Sequence, residues 1–295
     1  MHDFEYEAPT DIVELTTLLH QHQDRARILA GGTDLIDHIR SGRLAPDVVI
    51  DVKKVPELNE VQLTDDKLSI GAAVPCYRIY ESSEIRQHFA ALVDATRIIG
   101  GIQIQNRATL GGNLCTSSPA ADSMPALIAL RASCEIKEAK ATHSVLAEDF
   151  CTGPGKNVLL REAKDQRTTQ VLVKIEMPIP GPRTGSHYRR FIPRNEMDIA
   201  VVGVGAFVQL SEDGTKFDDV RLSLGAVAPT PLLVETGDMI GKSIEDGIAR
   251  AVEMSRSVAT PIDDMRGTRE FRTHVVGVLV ERVLNEAVER AKAGM

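Results

Sequence analysis

Two glycine-rich passages contain the residues whose types and spacing are most typical of ligand-binding chemistry. The first passage, LAGGTDL, consists of Leu29, Ala30, Gly31, Gly32, Thr33, Asp34 and Leu35. Successive backbone N–H groups in a tight glycine turn form a concavity that binds anions, and a helix that begins there adds its positive end. Thr33 supplies a further donor, and Asp34 is placed to cap the helix or to bind a ribose hydroxyl. The pattern predicts a phosphate-binding turn, although a plain strand-to-helix turn also explains it.

The second passage, GGIQIQNRATLGGNLCTSSPAAD, again combines a hydroxyl residue with paired glycines. Its candidate binding residues are Gly101, Thr109, Gly111, Gly112, Asn113 and Asp122. Two loops of small residues from successive α/β units can hold a long diphosphate ligand between them. The P-loop sequence is missing, and GVGAFV at Gly203 lacks the third glycine of the dinucleotide fingerprint. Together the two passages predict a diphosphate site that is neither a P-loop nor a Rossmann site.

Short elements must position these passages. Asp11 and Glu14 form a capping pair ahead of apolar residues at helical spacing, which predicts an amphipathic helix. RILA, the glycine turn, TDLIDHIR and DVVIDV predict a compact βαβ unit. Beyond them, KLSIG, SCEIK and VLVKIEMP are predicted strands, with two helical stretches between Tyr77 and Ile98.

The chain of 295 residues, 43% hydrophobic, is longer than most single domains. PIPGPRTGS contains three prolines and two glycines and predicts a linker near Gly181. We therefore expect a first domain at 1–180, with subdomains at about 1–57 and 58–180, and a second domain at 181–295. In the second domain strands precede two helices, near Ser243 to Val258 and Thr268 to Ala293, which is the order of an α+β domain.

Composition argues against several classes of protein. A net charge of −8 without a dense basic block disfavours nucleic acid as a partner. The four cysteines form no C-x-x-C pair, and the eight histidines are dispersed, so we expect no metal or iron–sulfur site in this chain. No apolar stretch is long enough to span a bilayer, and the N-terminus lacks the pattern of a signal peptide, so a cytoplasmic location is expected.

Four motifs, in this order and at these separations, resemble the FAD-binding medium subunit of the molybdenum hydroxylases. They are LAGGTDLI, ATLGGNLCTSSPAADSMPAL, FCTGPGK and RNEMDIAVVGVGAFVQL. The group includes the flavin subunits of bacterial carbon monoxide dehydrogenase and nicotinate dehydrogenase, and the central domain of xanthine dehydrogenase. The resemblance covers essentially the whole chain. It implies an α+β fold of the vanillyl-alcohol-oxidase (PCMH) type, in which two α/β subdomains hold FAD and a small α+β domain follows.

The resemblance also implies roles for individual residues. Residues 29–35 would wrap the pyrophosphate, and the small residues from Gly101 to Asn113 named above would form a second wall. Asp122 would hold the adenosine ribose or a flavin hydroxyl. Leu172 falls beside the position of the isoalloxazine ring, and a core leucine is the alternative. Arg190 stands where many relatives have lysine near that ring, and a surface cation is the alternative.

The function implied by the resemblance is electron transfer within a complex. A large subunit would oxidise the substrate at a molybdenum–pterin centre, and two-iron two-sulfur clusters of a small subunit would pass electrons to FAD in this chain and on to an external acceptor. The family commonly assembles as a dimer of heterotrimers. We expect cofactor contacts and no catalytic acid, base or nucleophile here. Two rival hypotheses are a stand-alone flavin oxidoreductase and a scaffold that has lost FAD.

Overall fold

The structure is a computed structural model that describes residues 3–139, 141–161, 166–167 and 169–294. Within these residues, a three-stranded, a five-stranded and a four-stranded sheet follow one another along the chain, and helices pack against them. The described part of the chain has no helix that is both long and apolar enough to cross a membrane.

The N-terminal subdomain is a small parallel sheet with helices. Its elements are β1 (Glu5–Glu7), α1 (Ile12–His22), β2 (Ala26–Leu29), α2 (Leu35–Arg40), β3 (Val48–Asp51) and α3 (Pro56–Asn59). The strands lie in the order β1, β3, β2, and both pairings are parallel. Asp11 caps α1 through hydrogen bonds from the N–H groups of Val13 and Glu14 at 2.9 and 2.8 Å. The predicted βαβ unit is therefore present, with the first glycine turn at the end of β2.

The central subdomain is built on an antiparallel sheet. Its elements are β4 (Val61–Leu63), β5 (Lys67–Gly71), α4 (Cys76–Glu81), α5 (Ser83–His88), α6 (Ala90–Thr96), α7 (Ile102–Gln105), α8 (Leu110–Thr116), α9 (Ser123–Ala129), β6 (Ser133–Glu138), β7 (Ala141–Leu146), α10 (Ala147–Phe150), β8 (Cys151–Gly153), β9 (Lys156–Asn157), β10 (Leu160–Arg161), β11 (Gln166–Arg167) and β12 (Val171–Pro178). The sheet order is β4, β5, β12, β6, β7. Three helices replace the two predicted between Tyr77 and Ile98, because Ser82 ends α4 and caps α5.

Strand β12 is shared by two hydrophobic cores. Val171 and Val173 belong to the core of the N-terminal subdomain, whereas Leu172 and Ile175 belong to the core of the central one. Side chains of a strand alternate between its faces, so one strand can serve both cores. A bulge after Leu172 shifts the register with β6. The two subdomains are thus joined through β12.

The C-terminal part is an antiparallel sheet followed by two helices. Its elements are β13 (Thr184–Phe191), β14 (Val202–Leu210), β15 (Phe217–Gly225), β16 (Leu232–Val234), α11 (Ile244–Val258) and α12 (Arg269–Ala293). Ser243 and Thr268 accept hydrogen bonds from the first turns of α11 and α12, and both helices lie where the sequence predicts them. One face of α12 packs against the sheet, and Val276, Val280, Val283 and Leu284 on it are fully buried.

Two close contacts fix the C-terminal sheet to the central subdomain. Helix α9 packs on β14 so tightly that a Cβ at Gly205 would lie 2.4 Å from the carbonyl oxygen of Pro125. On the other side, Asp94 of α6 lies 2.6 Å from Nδ1 of His187 and accepts a hydrogen bond from Arg290 at 2.7 Å. These contacts hold β13 in place, and β13 carries Arg190.

Candidate cofactor-binding site

The first glycine turn presents a row of free hydrogen-bond donors. It connects β2 to α2, and Gly32 has a φ of +78°, a left-handed conformation that glycine adopts without strain. The backbone N–H groups of residues 31–35 donate to no protein group in the part of the chain that the structure describes. Five successive unpaired donors at the start of a helix form a concavity of the kind that binds an anion.

Gly31 has a packing role that the sequence did not reveal. A Cβ at Gly31 would lie 2.1 Å from the carbonyl oxygen of Arg107 and 3.0 Å from the Cα of Ala108. The first turn therefore lies directly on the backbone of the second passage, and a side chain would prevent this contact. Gly31 is needed because the two passages touch, and the N–H groups that follow it remain available to a ligand.

The second passage forms a wall of small residues. Thr109 caps α8, with its Oγ1 accepting the N–H of Gly112 at 3.0 Å. The N–H of Gly111 donates to the carbonyl of Ala72 at 3.1 Å, and a Cβ at Gly111 would lie 2.5 Å from that oxygen. The N–H of Asn113 donates to the carbonyl of Thr109 at 3.0 Å. Because these N–H groups already have acceptors, this passage contributes shape, whereas the first turn contributes donors.

A hydroxyl group joins the two passages. The Oγ1 of Thr116, at the end of α8, lies 3.0 Å from Oδ2 of Asp34 and 3.0 Å from the carbonyl oxygen of Gly112. Asp34 makes no capping hydrogen bond to α2, so the capping role predicted as one alternative is wrong. Its exposed carboxylate is left to accept hydrogen bonds from neutral hydroxyls.

Asn113 holds the end of the second passage, where Asp122 lies, against α8. Its Oδ1 accepts hydrogen bonds from the hydroxyl of Ser123 at 2.6 Å and from the Ser123 N–H at 3.4 Å. Ser123 begins α9 directly after Asp122. The structure thus brings Asn113 and the Asp122 segment together, although the two lie on different helices.

Asp122 and Arg190 form a buried ion pair. Nη1 of Arg190 lies 2.5 Å from Oδ2 of Asp122, and the two side chains are 6% and 9% exposed. The hydroxyl of Tyr188 donates to Oδ1 of Asp122 at 2.8 Å. Burial raises the pKa of Asp122 to about 6, although Arg190 and Tyr188 act to lower it. The alternative prediction of a surface cation at Arg190 is therefore wrong.

Gly101 and Leu172, two further predicted site residues, take no part in the contacts described above. Gly101 precedes α7, and a Cβ there would lie 3.4 Å from the sulfur of Met197. Leu172 is buried in the central core and pairs across the sheet with Ile136, as the core-leucine alternative describes. The next residue, Val173, accepts a hydrogen bond at 2.8 Å from the N–H of Ala72, the residue on which Gly111 packs.

A cavity of about 220 Å³ beside the passages reveals residues that sequence reasoning missed. It is lined by Ala30 and Thr109 together with Lys53, Asn59, Ala73, Pro75, Tyr77, Arg78, Asn106 and Arg107. Lys53 pairs with Asp51 at 2.7 Å, and Arg78 donates to a backbone carbonyl. The sequence did contain a signal for Lys53. This residue follows β3, and ligands of α/β proteins bind at the edge of the sheet where the carboxyl ends of the parallel strands lie. A larger groove, of about 580 Å³, lies along α12.

The chain matches the family described as "FAD binding domain in molybdopterin dehydrogenase" over residues 2–180, and "CO dehydrogenase flavoprotein C-terminal domain" over residues 187–287. It belongs to the FAD-binding medium subunits of the molybdenum hydroxylases. It is 30% identical over 298 residues to the xanthine dehydrogenase FAD-binding subunit of Escherichia coli O157:H7, and the match covers 99% of this chain and 98% of that subunit.

Solved structures of this family share the fold. Carbon monoxide dehydrogenase from Hydrogenophaga pseudoflava, in a form that lacks the Mo-pyranopterin moiety, matches with a TM-score of 0.89 and 28% identity over 97% of this chain and 98% of that one. Quinoline 2-oxidoreductase from Pseudomonas putida 86 matches with a TM-score of 0.88 and 27% identity over 98% of each chain. The predicted fold class and FAD as the cofactor of this chain are confirmed.

The geometry of the site fits FAD. The pyrophosphate is anionic, and the free N–H groups of residues 31–35 are the donors that it requires. The sugar and ribityl hydroxyls are neutral donors, for which the carboxylates of Asp34 and Asp122 are suitable acceptors. In the second passage a Cβ at Gly111 would lie 2.5 Å from the carbonyl oxygen of Ala72, so this glycine is required by packing within the protein. The individual contacts of residues with FAD stay predictions.

Proposed function

We propose that this chain is the FAD-binding electron-transfer subunit of a molybdenum-containing hydroxylase. A large partner subunit oxidises the substrate at a molybdenum–pterin centre. A small partner subunit passes electrons through two-iron two-sulfur clusters to the FAD held here, and an external acceptor removes them. The observation that carries the assignment is the row of unpaired N–H groups at residues 31–35, which the Gly31–Arg107 contact holds against the second passage.

The residues of this chain bind and orient, while bound FAD supplies the redox chemistry. The first turn donates hydrogen bonds to the pyrophosphate, and Thr33 adds a hydroxyl. Asp34 and Asp122 accept hydrogen bonds from the hydroxyl groups of the cofactor. Arg190 from the C-terminal domain pairs with Asp122, so the negative charge of this carboxylate is balanced where the C-terminal domain borders the site. We assign no general acid, base or nucleophile to this chain.

Two features favour a subunit over a stand-alone flavin oxidoreductase. The segment after the FAD-binding domain matches the C-terminal domain of a carbon monoxide dehydrogenase flavoprotein. The similar proteins are named as subunits or chains of larger enzymes, among them the medium chain of carbon monoxide dehydrogenase from Hydrogenophaga pseudoflava, which is 28% identical to this chain over 290 residues. We propose the same three-subunit organisation here, as a dimer of heterotrimers.

Anaerobic reduction distinguishes these functions. The chain reconstituted with FAD and the complex purified from its source are each mixed with carbon monoxide, an aldehyde, a purine and another N-heterocycle. We expect the flavin absorption bands to persist in the isolated chain and to bleach in the complex with one substrate class. Dithionite, which reduces both samples, is the control. Bleaching of the isolated chain by a substrate would identify a stand-alone oxidoreductase, and failure to take up FAD would identify a scaffold.

A further inference from the structure

The buried carboxylate of Asp122 is held from the neighbouring domain by two donors on one strand. Tyr188 and Arg190 are two residues apart on β13, so their side chains lie on the same face of the sheet. Each donates to a different oxygen, Tyr188 to Oδ1 at 2.8 Å and Arg190 to Oδ2 at 2.5 Å. With one oxygen fixed by each donor, the carboxylate cannot rotate freely.

The hydroxyl of Tyr188 is itself fixed. The side chain is buried, and the Tyr188 N–H donates to Asp94 at 3.3 Å, which anchors the backbone. Its ring tip lies against Gly203, where a Cβ would be 2.8 Å from the hydroxyl oxygen. Gly203 and Tyr188 lie on neighbouring strands, β14 and β13. The hydroxyl therefore reaches Asp122 because Gly203, which pairs with Arg190 across the two strands, has no side chain to block it.

We propose that Tyr188 is a positioning residue of the FAD site: its hydroxyl holds the Asp122 carboxylate in the orientation that receives Arg190, and so fixes the place of the Arg190 guanidinium. The part of this proposal that concerns FAD rests on the proposed function. The part that concerns the ion pair stands on the geometry of the three side chains alone.

The stability of the fold should depend on pH through the ionisation of Asp122. The groups that face Asp122 are Arg190 and Tyr188 on β13, together with the neutral side chains of Asn113 and Ser123 that fix its segment. Burial raises the pKa of Asp122 from 3.8 to about 6, and the Tyr188 hydrogen bond opposes that rise. A raised pKa in the folded state means that stability falls as pH increases from 3.8 through 6. Without the Tyr188 hydroxyl this fall extends to higher pH.

Thermal unfolding of the FAD-free full chain tests the ion-pair part. Wild type, Tyr188→Phe, Asp122→Asn and the double variant are melted at about pH 5 and about pH 7.5. We expect Tyr188→Phe to lower Tm more at the higher pH, and to have the same effect at both pH values once Asp122 is Asn. Equal loss at both pH values in the single variant, or an unchanged pH dependence in the double variant, would overturn the proposal.

Tyr6→Phe is the matched control. Tyr6 donates to Asp51 at 2.6 Å, a Tyr–Asp hydrogen bond of similar length in the N-terminal subdomain. Although burial acts to raise it, hydrogen bonds from Lys53 and Tyr6 hold the pKa of Asp51 below its usual value, so this carboxylate is ionised at both test pH values. The effect of Tyr6→Phe on Tm is therefore expected to be the same at both.

The FAD part is tested on the reconstituted protein. We expect Tyr188→Phe to raise the Kd for FAD by roughly threefold to tenfold, since one hydrogen bond to a charged group is lost from the wall of the site. The pH dependence of the FAD midpoint potential should show an inflection that moves to higher pH in Tyr188→Phe and disappears in Asp122→Asn. Unchanged Kd and inflection would overturn the FAD part. If wild type fails to bind FAD, the proposed function falls, while the melting result still decides the ion-pair part.

Discussion

Replacing Gly32 by alanine tests whether the first turn is shaped for a ligand or only reverses the chain. Gly32 has a φ of +78°, which costs a residue with a side chain roughly 1–2 kcal/mol. The new Cβ would lie 2.8 Å from Cδ1 of Leu29, the end of a side chain that can rotate away. We expect the free energy of unfolding to fall by about 1–2 kcal/mol, so the chain stays folded.

The effect of this substitution on FAD affinity should be larger than a general loss of stability would produce. A shift of φ at residue 32 turns its N–H and the following one away from their common centre. A hydrogen bond to a charged group contributes about 1.5–3 kcal/mol, so loss of one such bond raises the Kd for FAD roughly tenfold to a hundredfold.

Gly42→Ala is the matched control for this experiment. Gly42 has a φ of +74°, and an added Cβ would meet nothing within 4 Å. Both variants carry the same backbone strain, but Gly42 lies after α2, away from the free donors. FAD titration by flavin fluorescence and urea unfolding are measured for both. If Gly32→Ala keeps a Kd within about twofold of wild type while it loses as much stability as Gly42→Ala, the turn does not bind the pyrophosphate.

Two further substitutions test the contacts between elements. Thr116→Val removes the hydroxyl that lies 3.0 Å from Asp34 but keeps the side-chain shape, so FAD titration should show a Kd raised roughly threefold to tenfold with little change in Tm. An unchanged Kd would show that the Thr116–Asp34 hydrogen bond does not contribute to FAD binding. Asp94→Asn weakens the contacts with Arg290 and His187. Burial acts to raise the pKa of Asp94, but hydrogen bonds from His187 and Arg290 hold it below its usual value. The ionised Asp94 carboxylate therefore stabilises the fold above about pH 4 and less at lower pH. In urea unfolding the variant should lose about 2 kcal/mol at neutral pH and less near pH 3, and an equal loss at both would contradict this account.

The first turn shows what local sequence reveals. A strand, paired glycines and a helical pattern predicted β2, the turn and α2, because each depends on neighbouring residues. The contact of Gly31 with Arg107 was not predicted, because the two residues are separated by 76 positions and nothing in their local patterns links them. The sequence therefore predicted the position of the turn correctly. That Gly31 is also needed for close packing of the two passages became visible only in the structure.

The ion pair at the domain boundary shows the same limit. Asp122 and Arg190 were both selected through the family resemblance, but separately, and their pairing across 68 positions was not foreseen. Tyr188 was overlooked because an aromatic residue in an alternating strand pattern is typical of a core. The three helices in place of two before Ile98 were missed because Ser82 acts both as the end of one helix and as the cap of the next.

The most direct test of the account is an absorption spectrum and mass analysis of the protein purified from its source together with whatever co-purifies. The account predicts flavin bands with FAD released on denaturation, iron and molybdenum, and two further polypeptides, one smaller than this chain and one much larger. A chain that is purified alone and colourless, and that takes up no added FAD, would contradict the assignment and leave the two glycine passages as turns that only pack against each other.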